Sequence, residues 1–351
     1  MSVRILMTCV GGVMASDLLT HLRVDPILKS FLIGVDSSPN AMGRAYVDAF
    51  HQVPIGEDVG YVERMLQIAQ QERVDIILPC SDQEAFVLAD ASEQFAQMGV
   101  AVLVSPPAVL ALIKDKAATY RALEAVGLRV PPYYCVGDVT ELKEALHKFG
   151  YPAKSVIVKP ISGRGGRGMR LLVGQAEQPP TWIGTGMRES RLDVLPQQEQ
   201  IDGWFEEGTL MVMPMLDSPA YDVDVVSNKG EAKAAIVRMR SNPAGIPFTG
   251  NHVVVDRIIM DYCLNIAEAL GLDALHDIDL LTDQSGKPCL LEVNPRPSGS
   301  VSSAHAAGFP IVAAAIAWKL KIPYLLNFPT NDVYVGVVSR ATVIVQSEDL
   351  V

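Results

Sequence analysis

Residues 277–299 constrain the fold of this chain more than any other segment. Asp277-Ile278-Asp279-Leu280-Leu281 and Leu290-Leu291-Glu292-Val293-Asn294 are two apolar, β-rich runs. Between them lies Asp283-Gln284-Ser285-Gly286-Lys287-Pro288, a turn-forming loop. Two strands around such a loop predict an antiparallel hairpin, which brings Asp279 beside Glu292. Two acids side by side in a sheet repel unless a divalent cation lies between them. Glu292, Asn294 and Arg296 then alternate into Pro297-Ser298-Gly299. In extended backbone these three share one face. That face offers oxygen ligands for a hard cation and a planar fork for an anion. A solvated sheet face would also explain alternating polar residues. The acids upstream, Asp277 and Asp279, favour a metal with a phosphate or carboxylate, because unpartnered polar groups ending an apolar run are costly to bury.

The 351 residues allow two or three lobes, and the composition, 49% hydrophobic and 6% aromatic, fits an α/β enzyme. A net charge of −11 argues against general nucleic-acid binding. The five cysteines (Cys9, Cys80, Cys135, Cys263 and Cys289) are scattered and show no zinc spacing. They read as reduced thiols of a cytoplasmic protein. The chain enters a strand-like run at Val3 with no signal-peptide pattern. Its longest apolar segment, Phe309 to Trp318, is too short to span a bilayer. Neither membrane nor nucleic acid is expected as a partner.

Residues 1–105 alternate strands and helices. Strands are predicted at Val3–Cys9, Phe31–Val35, Asp75–Pro79 and Ala101–Val104, and helices at Ala15–Leu22, Tyr61–Gln71 and Gln83–Met98. This pattern predicts a doubly wound parallel sheet. The glycine turn at Gly11-Gly12 lacks the full dinucleotide fingerprint, although Asp36 ends the second strand where a ribose-binding acid would sit. A Rossmann-like lobe with another role fits better.

Pro106-Pro107 marks a boundary. Beyond it, helices are predicted at Lys114–Val126, Glu141–Phe149, Asp256–Leu270 and within Ala304–Leu320. Strands are predicted at Ser155–Lys159, Arg170–Val173, Leu210–Met213, Tyr221–Ser227, Ala232–Arg240 and Val333–Val345. Residues 174–203 read as a polar surface insertion with a short helix near Leu195–Trp204.

The loop Ile161-Ser162-Gly163-Arg164-Gly165-Gly166-Arg167-Gly168 joins two strands. Glycines let backbone N–H groups approach a polyphosphate. A Walker A loop is excluded, because no Gly-Lys-Ser/Thr and no helix follow. A hairpin tip is the simpler alternative, against which Lys159 supplies a strand-borne cation beside the loop. Arg238 and Arg240 share a strand face. With Arg296 they could neutralise a triphosphate and an acyl-phosphate transition state.

These motifs, in this order, resemble the ATP-grasp superfamily over nearly the whole chain. The nearest resemblance is to a single synthetase unit of the carbamoyl phosphate synthetase large subunit, with D-alanine–D-alanine ligase and biotin carboxylase more distant. The matching segments begin with Asp115-Lys116 and Glu124-Ala125-Val126-Gly127-Leu128-Arg129-Val130-Pro131. Val158-Lys159-Pro160 with the glycine loop follows, then Tyr221-Asp222-Val223-Asp224-Val225-Val226, Asp279 and Glu292-Val293-Asn294-Pro295-Arg296. The resemblance implies a Rossmann-like pre-ATP-grasp domain at 1–107, a small lobe with the phosphate loop at 108–210 and a large lobe with the metal site at 211–351.

It also implies roles. Lys116 and Lys159 would contact ATP phosphates. The loop glycines Gly163, Gly165, Gly166 and Gly168 would close over them. Met213, Pro214, Met215 and Leu216 would form the hinge that reads adenine. Asp279, Glu292 and Asn294 would hold two magnesium ions, or manganese. Arg296, with Arg238 and Arg240, would serve the transferring phosphoryl group or the carboxylate. Two positions depart from the family. Met213 and Ala220 stand where glutamates are usual, so Asp217 or Asp222 would take over adenine or ribose contacts. The expected activity is an ATP- and Mg²⁺-dependent carboxylate–amine (or thiol) ligase that forms ADP and phosphate through an acyl phosphate, on small-molecule substrates and as a homodimer. Bicarbonate activation and a catalytically silent nucleotide-binding protein are the alternatives.

Overall fold

The computed structural model describes residues 2–12, 15–163, 166–177, 189–206, 208–241, 250–283 and 285–337. Three β-sheets organise them. The first contains β1 (Arg4–Met7), β2 (Phe31–Asp36), β3 (Ala49–Gln52), β4 (Ile76–Leu78) and β5 (Ala101–Val102). All pairs are parallel, in the order β3-β2-β1-β4-β5. This is a doubly wound sheet whose order reverses between β1 and β4. Ile5, Leu6, Ile76 and Ile77 are fully buried, as strands covered on both faces require. Asp36 accepts a hydrogen bond from the Gly11 amide at 2.7 Å, and a Cβ at Gly11 would lie 2.8 Å from that carboxylate. Asp36 therefore clamps the glycine turn.

The second sheet contains β6 (Tyr134–Val136), β7 (Val156–Pro160), β8 (Met169–Leu172), β9 (Glu189–Leu192) and β10 (Leu210–Pro214), in the order β6-β10-β7-β8-β9. Helix Val139–Lys148 covers it, burying Leu142 and Leu146 in a core with Val156, Val158 and Val212. Asp138 caps that helix at the Glu141 amide, and Glu141 reaches back to the Gly137 amide.

The third sheet contains β11 (Asp217–Asn228), β12 (Glu231–Arg240), β13 (Asn251–Val254), β14 (Ala274–Thr282), β15 (Pro288–Asn294) and β16 (Val333–Val335). It is antiparallel throughout, in the order β15-β14-β11-β12-β13-β16. One face, with Val223, Val225, Ala235, Val237 and Ile278, packs in the core that holds Ile259, Cys263 and Ile266 of helix Arg257–Leu270. The other face divides. At one end Val226, Ala234 and Ile236 pack with helix Ile311–Lys319. At the other end it carries charges, and the candidate site lies there.

The structure differs from the expected elements in identifiable ways. Gln83–Met98 is two helices, Asp82–Asp90 and Ser92–Gln97. Lys114–Val126 is also two, Pro107–Lys114 and Lys116–Ala125, because Asp115 is extended and bridges Ser162. Pro107 opens a helix, where its missing N–H costs nothing. Among the described residues no helix is long and apolar enough to cross a membrane.

Candidate active site on the third sheet

The expected hairpin forms as β14 and β15, and Asp279 pairs with Glu292. A register shift follows: Leu280 pairs with Leu290, which leaves Leu291 as an extra, bulged residue. The bulge re-aims the strand. Leu290 and Val293 enter the apolar core, while Glu292 falls opposite Asp279. Tyr120 holds the bulge, its hydroxyl donating to the Leu290 carbonyl at 2.7 Å and the Leu291 carbonyl at 3.1 Å.

Across β15, β14, β11 and β12 the register sets Glu292, Asp279, Asp222 and Arg238 side by side. The adjacent row is Asn294, Asp277 and Asp224. Five acids on three neighbouring strands would repel strongly if unpartnered. Each is met by a cation. Lys116 Nζ lies 3.1 Å from Glu292 Oε2. Arg240 reaches Asp222 with Nε at 2.8 Å and Asp279 with Nη2 at 2.7 Å. Arg296 Nη1 meets Asp277 Oδ2 at 3.1 Å, and its Nε meets Asp82 Oδ1 of the first lobe at 2.9 Å. Arg238 pairs with Asp224, both side chains wholly buried. Asn294 Nδ2 donates to Asp277 Oδ2 at 3.2 Å and Asp279 Oδ2 at 3.3 Å.

Lys116 opens the helix Lys116–Ala125, whose N-cap is Asp115. Its ammonium also donates to the Gly163 carbonyl at 2.8 Å, joining the glycine loop to Glu292. Lys159, on β7, lies 3.5 Å from the Leu291 carbonyl. Gly168 has φ +74°, and a Cβ there would lie 2.9 Å from Pro160 Cγ. Gly163 and Gly166 also have positive φ. Arg164 and Gly165 lie outside the described residues, as do the side chain of Asp217 and residues 338–345 of the predicted last strand. Met213 is buried on β10 opposite Ile157, and Pro214 is opposite Val156. Met215 and Leu216 follow the strand half-buried. Ala220 is buried at the start of the acid-bearing part of β11.

The electrostatics are uneven. Burial, and then Asp277, push Asp279 well above the ordinary carboxylate range. Burial and then Asp222 push Asp277 up to about 8. Burial opposes ionisation of Asp222, but Arg240 outweighs it and holds that carboxyl below its usual range. Burial likewise opposes ionised Glu292, while Lys116 and Lys159 bring it below. Burial, then Lys116, push Lys159 down to about 8. Carboxylates in register with raised proton affinity, joined by an amide, form an all-oxygen donor set suited to Mg²⁺ or Mn²⁺.

Sequence reasoning missed three elements. Asp224 and Arg238 lock together beneath the site. Asp82 reaches Arg296 from another lobe. Tyr120 secures the bulge. The first was accessible from the hairpin Tyr221–Arg240, where pairing around Lys229-Gly230 sets Asp222 opposite Arg238 and leaves Asp224 diagonal to that arginine on the same face. The other two are long-range contacts with no local signal.

Residues 206–334 match the family model described as ATP-grasp in the biosynthetic pathway with Ter operon. Residues 22–103 match the PylC-like, N-terminal domain. The chain is 26% identical over 292 residues to the carbamoyl phosphate synthase large chain of Vibrio cholerae serotype O1, covering 78% of this chain and 25% of that protein. It is 24% identical over 315 residues to the N-terminal section of the Aquifex aeolicus large chain, covering 85% of this chain and 51% of that one. It thus spans a quarter to a half of these relatives. A biotin carboxylase–beta-gamma-ATP complex from Campylobacter jejuni shares the fold, with a TM-score of 0.67, 17% identity, and coverage of 93% of this chain and 72% of that one. Residues 206–334 thus carry the match to an ATP-grasp family model, and the chain resembles, over most of its length, part of a carbamoyl phosphate synthase large chain.

Proposed function

We propose that this protein is an ATP-dependent ligase that joins a substrate carboxylate to an amine, or to a thiol, through an acyl phosphate. The carrying observation is the convergence of Lys116, Lys159 and the glycine loop on the acid row that contains Glu292 and Asp279. A carboxylate oxygen attacks the γ-phosphorus and ADP leaves. The nucleophile then attacks the acyl carbon and phosphate leaves. Asp279, Glu292 and Asn294 would hold magnesium, which would supply charge neutralisation to the phosphates.

The remaining work falls to this chain's residues. Lys116 exchanges its Glu292 and Gly163 partners for phosphate oxygens. Lys159 adds a second cation. Gly163, Gly165, Gly166 and Gly168 allow close backbone approach to the phosphates. Met213 to Leu216 line the base. Arg296, tethered between Asp82 and Asp277, is aimed at the transferring group from a fixed position. Arg238 acts indirectly, through Ser298 and Ser300 in the turn after Arg296. Arg240 and Asp222 set the charge of the acid row.

The test is release of ADP and phosphate from MgATP with pooled small carboxylic acids, amino acids, amines and thiols, using Glu292→Ala as control. Release that needs a carboxylate plus a nucleophile, and is absent from the variant, supports the ligase. A second reading, bicarbonate activation, is favoured by the similarity to carbamoyl phosphate synthase. It predicts release with bicarbonate alone. No release and no ATP binding would overturn both, and would make Met213 and Ala220 marks of a lost nucleotide site.

A further inference from the structure

Glu84 is a carboxylate buried in the first lobe, away from the acid row, and only 5% exposed. None of the ion pairs among the described residues includes it. Four neutral donors converge on it instead. Thr8 Oγ1 at 2.6 Å, Ser81 Oγ at 2.8 Å and Cys9 Sγ at 2.9 Å donate to Oε2, and the Tyr61 hydroxyl donates to Oε1 at 3.0 Å. Burial, and then Glu84 itself, push the Cys9 thiol and the Tyr61 hydroxyl up, so both remain protonated donors. The donors come from the carboxyl ends of β1 and β4 and from helix Tyr61–Gln71. A further loop closes on the stem, where a Cβ at Gly56 would lie 2.8 Å from Glu84 Cγ. Cys9 has φ +52°, a left-handed conformation that costs a side-chain-bearing residue free energy. The carboxylate thus ties together the loops on both sides of the point where the strand order reverses, where doubly wound sheets present their functional loops.

Filling space alone would not call for a carboxylate, which is costly to bury. What these hydrogen bonds add is a fixed first turn of helix Asp82–Asp90. Ser81 is the N-cap of that helix, and its Oγ accepts from the Glu84 amide at 3.3 Å. Asp82 opens the same turn, and its Oδ1 lies 2.9 Å from Arg296 Nε. Among the described residues this is the one ion pair that joins the first lobe to the third sheet. The turn therefore sends one acid into the first lobe and the other across to Arg296. We infer that Glu84 is a positioning residue for the Arg296 guanidinium: its four hydrogen bonds hold the turn that sets Asp82 against Arg296. Glu84 acts through Asp82 and touches no substrate. The inference rests on the ligase reading for what Arg296 does, and not for how Arg296 is held.

The experiment is heteronuclear NMR of the full chain carrying ¹⁵N-labelled arginine, which reads the Nε–Hε groups, together with the MgATP assay. The Arg296 signal is the one absent from Arg296→Lys. Asp82→Asn should move it by removing the charge beside Nε. Glu84→Gln should move it in the same direction, and the double variant should match Asp82→Asn alone, because both act through one contact. Tyr61→Phe, which removes one of the four donors, should move it by less, and it carries the test should Glu84→Gln fail to fold. Asp25→Asn weakens a different contact of the first lobe, with the Tyr324 hydroxyl, and should leave the signal in place. In the assay, Glu84→Gln and Asp82→Asn should each lower kcat by about tenfold or more with KM for ATP unchanged, because a misplaced group loses transition-state stabilisation and not nucleotide binding. An Arg296 signal unmoved in the folded Glu84 and Tyr61 variants, an equal shift in Asp25→Asn, or full kcat in Glu84→Gln would overturn the inference. A parent protein without turnover refutes the ligase reading alone, and the NMR shifts then decide whether Glu84 holds Arg296.

Discussion

Arg238→Met tests whether the buried pair beneath the site acts through structure. Arg238 and Asp224 both have side chains with no exposure. Arg238 Nη1 also donates to Ser298 Oγ at 3.2 Å, and the Ser298 amide donates to Asp224 Oδ1 at 2.8 Å. Methionine keeps most of the aliphatic stem but leaves Asp224 as an uncompensated charge away from water. Breaking such a pair from one side costs about 3–5 kcal/mol, a large share of the roughly 5–15 kcal/mol that stabilises a domain. Adding Asp224→Asn removes the stranded charge and should recover about half of the loss. The assay is urea unfolding of the full chain followed by circular dichroism. Burial raises the Asp224 carboxyl even with Arg238 present. Without the arginine, protonation offers relief, so the loss should be larger at pH 8 than at pH 5. A single variant within 1 kcal/mol of the parent, or a double variant no better than the single, would refute the reasoning. Full stability with abolished turnover would instead make Arg238 a direct participant in the reaction.

Tyr120→Phe should cost about 1–3 kcal/mol, because the buried Leu290 carbonyl loses the hydroxyl donor and the part-buried Leu291 carbonyl keeps only the longer Lys159 contact. ATP turnover should fall with it as Glu292 loses its fixed position, and unchanged stability and turnover would show that the bulge holds itself. Burial pushes His276 down to about 4 and His305 down to about 3 from their usual 6.5. Between pH 6.5 and those values the unfolded chain binds more protons, so the stability they contribute is present above pH 6.5 and lost on acidification. For His276 the contribution is on the order of 3 kcal/mol. His276→Gln should flatten the fall in urea midpoint between pH 7 and 4.5, and an equally steep fall would assign the acid sensitivity elsewhere.

Where the sequence carried strong periodicity, its elements formed where they were expected. Tyr61–Gln71 is a helix with those bounds, and β15 follows from the run Leu290–Asn294. The short strands β3, β6, β9 and β13 left no distinct pattern in three or four residues, because neighbouring strands decide them. The helix break at Asp115 is likewise decided by a distant partner, Ser162.

The sequence by itself determined which chemical groups could meet on one hairpin. Asp279 and Glu292 follow from strand pairing, and pairing is local: a turn fixes the register of what flanks it. It also determined the doubly wound first lobe, through the alternation of apolar strands and helices. Only the tertiary structure decided how the acids are neutralised. Lys116, Asp82 and Arg296 belong to segments far apart in the chain, and their meeting depends on how the three sheets pack. The bulge at Leu291 belongs to the same class. Residue types alone leave Leu290 and Glu292 on one face, and one unpaired residue, held by Tyr120 from a distant helix, separates them. Such contacts carry no periodicity, and the free energy that selects them is that of burying charge only where a partner waits.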